Sequence, residues 1–177
     1  EAVNRRLALL DIDARRVLQI LAVSGERIPL STMRKLLASE DLPVLGKLVE
    51  HGFLRRDESE HAFSHPYLRD FVEASIPAET RKILHARCLD LGNDDGEPLE
   101  VRAEHAFRAG DLLTALMLLE RMGQEAMRRG DASVAILALR RGLELARRAV
   151  LETGDEALDS AIVSFSRQLA EALIWEG

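Results

Sequence analysis

The sequence predicts a mainly α-helical protein with one small β-hairpin, and three observations support this fold class. Apolar residues recur at steps of three and four along most of the 177 residues, as they do in helices that bury one face. The apolar stretches are separated by Asp, Pro and Gly, which commonly begin or end helices. Residues 53–64 change to short extended runs on either side of a polar turn.

The first third of the chain predicts three helices followed by the hairpin. Asp11 is placed to cap a helix over residues 12–23, Ser31 is placed to cap a second helix, and Asp41 a third. This order of elements is typical of a winged-helix domain, in which the hairpin forms the wing. We therefore predict a winged-helix domain over residues 1–76.

From His65 onward the pattern predicts only helices, and residues 92–98 are the clearest loop between them. Gly-Asp pairs at positions 110–111, 130–131 and 154–155 each combine a residue that ends helices with one that begins them. The pairs lie 20 and 24 residues apart, so each interval holds one long helix. Long helices joined by such short connections are expected to pack antiparallel to one another.

We place residues 77–177 in a second domain, a tetratricopeptide-like antiparallel helical array. Two successive helices take about forty residues, which exceeds the tetratricopeptide period, so the likeness is to the architecture rather than to the repeat itself. The chain begins at Glu1 without a methionine and ends inside a helical pattern. We therefore expect it to be part of a longer protein, truncated at both ends.

Composition and charge narrow the function classes. The net charge is −6, from 24 basic and 30 acidic residues, and 4% of residues are aromatic, which argues against a broad nucleic-acid surface. The sequence contains neither an apolar run long enough to span a membrane nor a secretory signal. A single cysteine, Cys88, excludes a disulfide framework. These features predict a cytoplasmic protein that does not act at a membrane.

The sequence has none of the common catalytic motifs. A phosphate-binding loop, a nucleophile elbow and a His-Glu-x-x-His pair are all missing, so we expect a non-enzymatic segment with no catalytic residues, cofactor or metal of its own. His85 and Cys88 lie three residues apart on a predicted helix and could supply two metal ligands. Because further ligands are not identifiable, a buried histidine and a buried cysteine are the favoured interpretation.

Four arginines lie on the outward face of one predicted helix, namely Arg140, Arg141, Arg147 and Arg148. They are candidates for contact with an acidic protein partner or a phosphate group. The alternative is a solvated helix face, whose last arginines stabilise the helix by lying near its carboxyl end.

DNA binding is the main alternative function for a winged-helix domain. The outer residues of the third helix are Lys47, Glu50 and His51, and the wing tip at 57–60 carries three carboxylates that oppose a phosphate backbone. Arg55 and Arg56 are the basic residues nearby that would partly offset these carboxylates. DNA contact through this segment is therefore not expected, although a winged-helix transcriptional regulator with a helical dimerisation or effector arm stays open as the alternative.

Residues 63–70, Phe-Ser-His-Pro-Tyr-Leu-Arg-Asp, match the pattern Phe-x-His-x-x-x-Arg-[Asp/Glu]. The segment resembles the helix that follows the wing in the STAND class, the signal-transducing ATPases with numerous domains. In that class the winged helix follows a nucleotide-binding core, and bacterial members carry kinase, cyclase or LuxR-type output domains. Residues 48–54, 81–85 and 104–115 are similar to further segments of the same class.

The resemblance implies a role in nucleotide sensing for His65 and Arg69, because the family's histidine contacts the β-phosphate of bound ADP. It also implies an upstream ATPase core in the same polypeptide, which would bind ATP or ADP, and a protein partner or small ligand on the helical arm. The chain would then be a non-catalytic regulatory and interaction module that couples the two. Alternatively, His65 only caps the helix that follows the wing.

Overall fold

The computed structural model describes residues 2–176, with side chains at residues 5–92 and 96–176. Over that range the chain forms ten α-helices and one three-stranded antiparallel sheet, which confirms the mainly helical fold class. The chain divides into two compact units, Glu1–Asp95 and Gly96–Gly177.

The first unit combines helices with the sheet. Its elements in chain order are α1 (Ala2–Ala8), α2 (Ile12–Ser24), β1 (Arg27–Pro29), α3 (Leu30–Leu36), a 3-10 turn (Ser39–Asp41), α4 (Val44–Glu50), β2 (Leu54–Arg56), β3 (Glu60–Phe63), α5 (Pro66–Ala74) and α6 (Ala78–Asp95). The central strand is β3, which pairs antiparallel with β2 on one side and with β1 on the other. The predicted hairpin is therefore present as β2 and β3.

Two elements of the first unit were not predicted. The helix α1 lies before residue 12, where the sequence pattern predicts no helix, and the strand β1 has no counterpart among the predicted elements. The strand β1 is three residues long and ends in Pro29, which lacks a backbone N–H and is tolerated because β1 lies at the edge of the sheet. The strand β1 depends on its pairing with β3, which is distant in the sequence, so the local sequence pattern does not predict it.

The predicted cap of α2 is confirmed, whereas the other two caps are wrong. Asp11 accepts a hydrogen bond from the Ala14 N–H at 2.7 Å. Ser31 lies inside α3, which begins after Pro29 without a side-chain cap. Asp41 does not cap α4 either. Its carboxylate is buried and hydrogen-bonded to the Arg16 guanidinium of α2, a stronger donor than a helix N–H.

The first unit has one apolar core centred on α2, which is buried along most of its length. Large side chains that are fully buried come from α2, α3, α4, the segment before β2, and β3; among them are Leu18, Met33, Leu48, Phe53 and Phe63. The helix α6 packs against α2 and α3, and for this reason the first unit extends beyond residue 76, where the sequence analysis set the domain boundary.

The loop predicted at 92–98 is shorter than expected. Residues 92–95 continue α6, and the connection to the next helix spans only 96–98. The glycine and polar residues that predicted a loop do not stop the helix, because helix propensity is a weak preference that tertiary packing overrides.

The second unit is helical throughout the described residues. It contains α7 (Leu99–Ala109), α8 (Leu112–Arg129), α9 (Ala132–Thr153), a 3-10 turn (Glu156–Leu158) and α10 (Asp159–Glu176). The predicted Gly-Asp boundaries are confirmed, since all three glycines end a helix with positive φ. Asp111 and Asp131 accept hydrogen bonds at 3.1 Å from the N–H groups of Thr114 and Val134.

An internal repeat is visible in how α8 and α9 bury their first turns. Residues 111–119 and 131–139 show the same succession of buried and exposed positions. Ala115 and Ala135 are buried at equivalent positions, while Met117 and Leu137 are exposed at equivalent positions. Each helix therefore presents a matching apolar face to its neighbours, and consecutive helices of the unit pack on one another.

Two glycines inside the helices allow this close packing. A Cβ atom at Gly123 of α8 would lie 2.7 Å from the Leu139 side chain of α9. A Cβ atom at Gly142 of α9 would overlap the Phe165 ring of α10. Each glycine thus forms a socket for a large side chain of the following helix, at the packing density typical of protein interiors.

Candidate functional site

The predicted sensing histidine lies at the start of α5. His65 has the extended backbone conformation of an N-cap, and its Nδ1 accepts a hydrogen bond from the Tyr67 N–H at 3.4 Å. Its ring stacks on the Tyr67 ring, with the ring centres 5.2 Å apart. Pro66 follows at the first helical position, where a missing N–H costs nothing. Both His65 and Tyr67 are exposed, and Nε2 of His65 has no partner among the described residues.

Arg69 lies one turn further along α5 and has different surroundings. Its Nε donates to the Ala22 carbonyl of α2 at 2.9 Å, and its two terminal nitrogens contact Glu73 at 2.7 Å and Asp70 at 3.1 Å. These contacts fix α5 against the carboxyl end of α2. His65 and Arg69 share no partner, so the structure does not join them into one site; Arg69 positions the helix that His65 begins.

A buried polar row continues from Arg69 into the interior. The Glu73 side chain is 5% exposed, and its second oxygen lies 3.4 Å from Nε2 of the buried His85 on α6. Arg81 of α6 donates to the Glu73 carbonyl at 3.4 Å. The row Arg69–Glu73–His85 therefore links α5 to both α2 and α6. Sequence reasoning missed Glu73, although its spacing of four residues from Arg69 was a usable indication of an ion pair.

The alternative metal site is not assembled in the described part of the chain. His85 faces Glu73, and Cys88 is buried in the core of the first unit. Within the described residues, no group of three or more His, Cys, Asp or Glu side chains is arranged to hold a metal ion. Two ligands of this kind do not complete the tetrahedral set that zinc requires.

Two of the four arginines of α9 form ion pairs with glutamates, and the other two do not. Arg141 forms an ion pair with Glu104 of α7, and Arg148 forms one with Glu152 at 2.7 Å. Arg140 and Arg147 are exposed and make no ion pair with any described residue. The structure therefore does not unite the four guanidinium groups in a single site.

Glu104 is the residue that organises this part of α7 and α9. Burial raises the pKa of Glu104, but hydrogen bonds from Arg108 and Arg141 outweigh that effect and hold its pKa below the usual range. The carboxylate stays ionised and keeps Arg141 in place. Arg141 and Arg148 line a groove of about 200 Å³ on the second unit, together with Phe107, Leu119 and Leu145.

On the surface that would face DNA, two of the basic side chains are already paired with carboxylates. Lys47 of α4 lies 3.1 Å from Asp11, and Arg27 of β1 lies 2.6 Å from Glu60. The hydrogen bond from the Ala14 N–H, followed by that from Lys47, lowers the pKa of Asp11, so this carboxylate is ionised at neutral pH. The tip at 57–60 adds further carboxylates. Phosphate contacts would have to displace these ion pairs.

Comparison of the chain with protein-family models, with curated proteins and with solved structures found no match. The functional assignment therefore depends on the geometry of the described residues. Among them, no helix combines the length and the apolar character that crossing a bilayer requires.

Proposed function

We propose that this chain is the non-catalytic regulatory segment of a STAND-class signalling ATPase, formed by a winged-helix domain and a tetratricopeptide-like helical arm. It passes the nucleotide state of an ATPase core, located upstream in the same polypeptide, to a partner or ligand bound on the arm. The observation that carries the proposal is the position of His65. Its imidazole is exposed at the N-terminus of a helix that Arg69 holds firmly against α2.

The chemistry of that position suits the β-phosphate of ADP. The N-terminus of a helix carries partial positive charge and favours anions. Because Pro66 lacks an N–H and the Tyr67 N–H is directed to Nδ1 of His65, Nε2 of the imidazole is the donor available to the phosphate.

The buried row behind His65 supplies a path for coupling. A displacement of the start of α5 would move Arg69. Because Arg69 contacts Glu73, and Glu73 lies beside the buried His85 of α6, the displacement would also reach α6. The first unit would then have two packings of α5 and α6, whose balance is shifted by the nucleotide that binds one of them more tightly.

The second unit supports the role of a scaffold. Its repeated burial pattern and its glycine sockets are typical of stacked helical arrays, which present extended surfaces to partners. Met117 and Leu137 leave apolar side chains exposed at equivalent repeat positions. Arg140 and Arg147 of α9 are exposed and form no ion pair with a described residue, so they are the contacts on the arm for an acidic group of the partner.

The test compares His65→Ala with a matched control in the intact ATPase. His51→Ala is the control, because His51 is also exposed in the first unit. Its backbone carbonyl accepts a hydrogen bond from Arg6 at 2.8 Å, which the substitution keeps, and its side chain forms no hydrogen bond with a described residue. Stopped-flow release of a fluorescent ADP analogue is expected to be about tenfold faster for His65→Ala, since a charge-assisted hydrogen bond is lost. His51→Ala should release ADP at the wild-type rate.

Equal release rates for the two variants and the wild type would contradict the sensing role. A separate measurement addresses the DNA-binding regulator. Fluorescence anisotropy of labelled duplex DNA at low salt should show only weak binding to the chain. Tight binding that falls steeply with salt would replace the proposal with that alternative.

A further inference from the structure

A second candidate site lies in the first unit, between α3, α4 and the sheet. It is a groove of about 480 Å³, a size that is ordinary for a small-molecule pocket. Its floor is apolar and consists of Leu30, Met33, Leu42, Leu45 and Val49. Polar side chains line the same groove, and three of them, His61, Arg34 and Arg56, have hydrogen-bonding groups without a partner among the described residues.

His61 is the buried polar residue of this groove. It lies on β3, opposite Arg56 of β2 and Ile28 of β1, and it is 5% exposed. Its Nδ1 has no hydrogen-bond partner among the described residues, although most buried polar atoms in proteins have one. Burial, and secondarily the charge of Arg56, lowers the pKa of His61, so the ring is neutral at pH 7 and has one N–H to donate.

The arginines that line the groove are also without partners. Arg34 of α3 and Arg56 of β2 are exposed, and neither forms an ion pair or hydrogen bond with any described residue. Arg27 and Lys47, by contrast, are paired with carboxylates at 2.6 and 3.1 Å. Glu50 is the carboxylate that lines the groove, so positive charge exceeds negative charge there by one.

We propose that this groove binds a small apolar monocarboxylate. The hydrocarbon body covers the leucine and methionine floor, and the carboxylate accepts hydrogen bonds from His61 and from the guanidinium groups of Arg56 and Arg34. Charge complementarity fixes the sign of the ligand, and the volume suits an acid of about eight carbons. The site is separate from His65, so either proposal can fail while the other stands.

The test is isothermal titration of the full chain with octanoate, octan-1-ol and acetate at constant ionic strength. Octanoate is expected to bind at least about tenfold more tightly than either of the other two probes, because only octanoate supplies both an apolar body and a charge. Octanol binding as tightly as octanoate would overturn the proposal, since the groove would then be an apolar cleft without selectivity for an acid.

Adjacent arginines provide a matched pair of variants. Arg56→Gln should raise the octanoate Kd about fivefold, while Arg55→Gln should leave it unchanged, because neighbouring positions of a strand face opposite sides of the sheet. Glu50→Gln should lower the Kd, since it removes a like charge from the groove. Equal weakening by Arg55→Gln and Arg56→Gln would contradict a specific carboxylate contact.

His61→Phe tests the buried donor while keeping an aromatic ring of similar volume. The octanoate Kd should rise about tenfold, with an unchanged helical circular dichroism spectrum. An unaltered Kd would remove His61 from the site. A peptide with a C-terminal leucine carboxylate that displaces octanoate at lower concentration would also overturn the proposal, because the occupant would then be a protein terminus.

Discussion

The two units of this chain hold their elements together in different ways. In the first unit, helices and strands of unlike length are fixed by buried polar contacts, such as Arg16 with Asp41 and Arg69 with Glu73. In the second unit, similar helices stack through small residues, and a large side chain of one helix enters a glycine socket of its neighbour. The second unit also has a charged contact between helices, from Arg141 to Glu104, but its glycine sockets make it sensitive to an added methyl group, whereas the first unit is sensitive to the loss of a charged partner.

The largest effect is expected from filling a glycine socket. Gly142→Ala places a Cβ atom inside the Phe165 ring, and we expect it to lower the free energy of unfolding by about 3 kcal/mol, at the upper end for overpacked cores. Gly46→Ala is the control, because a Cβ atom there has nothing within 4 Å and the helix should gain about 0.5–1 kcal/mol. Urea unfolding measures both. A Gly142→Ala variant as stable as the wild type would show that sockets do not hold the second unit together.

A smaller loss is expected when the buried row of the first unit is broken. Glu73→Gln leaves Arg69 and His85 without the carboxylate between them, and we expect a loss of about 2 kcal/mol in thermal or urea unfolding. Asp70→Asn removes the exposed acid that contacts the same arginine, so its cost should stay below about 0.5 kcal/mol. Similar costs for the two variants would mean that burial does not set the strength of these contacts.

The smallest effect concerns the pH dependence of the first unit. The hydrogen bond from Arg16 lowers the pKa of Asp41 below its usual value of 3.8. A lowered pKa in the folded state adds stability above the unfolded value, and this stability is lost as the pH falls through the folded value. Asp41→Asn should therefore cost about 1 kcal/mol at pH 7, and the difference from the wild type should shrink below pH 4.

Asp13→Asn is the control for that experiment. Asp13 is an exposed acid 3.8 Å from the same arginine, and its replacement should change the stability little at any pH. A difference between wild type and Asp41→Asn that stays constant down to pH 2 would contradict a stabilising role for the ionised carboxylate.

The sequence predicted the second unit better than the first, for a physical reason. The boundaries at 110–111, 130–131 and 154–155 depend on local chemistry: a glycine that takes positive φ and an aspartate that accepts N–H bonds within three residues. In the first unit, β1 exists only because it pairs with β3, and Asp41 is turned away from the helix it precedes by a distant arginine. Contacts of that kind have no signature in a single local segment.

The two candidate sites also differ in how far the sequence could predict them. The position of His65 at the start of α5 followed from the order of residues 63–70, and the structure places it at that N-cap. The groove of His61 could not be predicted, since it depends on the register of β3 against β2 and on the approach of α3 and α4. The partner of Arg69 was missed because Glu73 is a buried acid, which composition alone does not favour.

Hydrogen–deuterium exchange of the proposed full-length ATPase, with and without ADP, tests the proposed sensing role of His65 most directly. ADP is expected to slow exchange in α5, which begins beside His65; His65→Ala should abolish this protection and His51→Ala should preserve it. If the arm responds to nucleotide as proposed, amides of α8 and α9 should change their exchange together with those of α5. Exchange in α5 that is the same with and without ADP would contradict nucleotide sensing at His65.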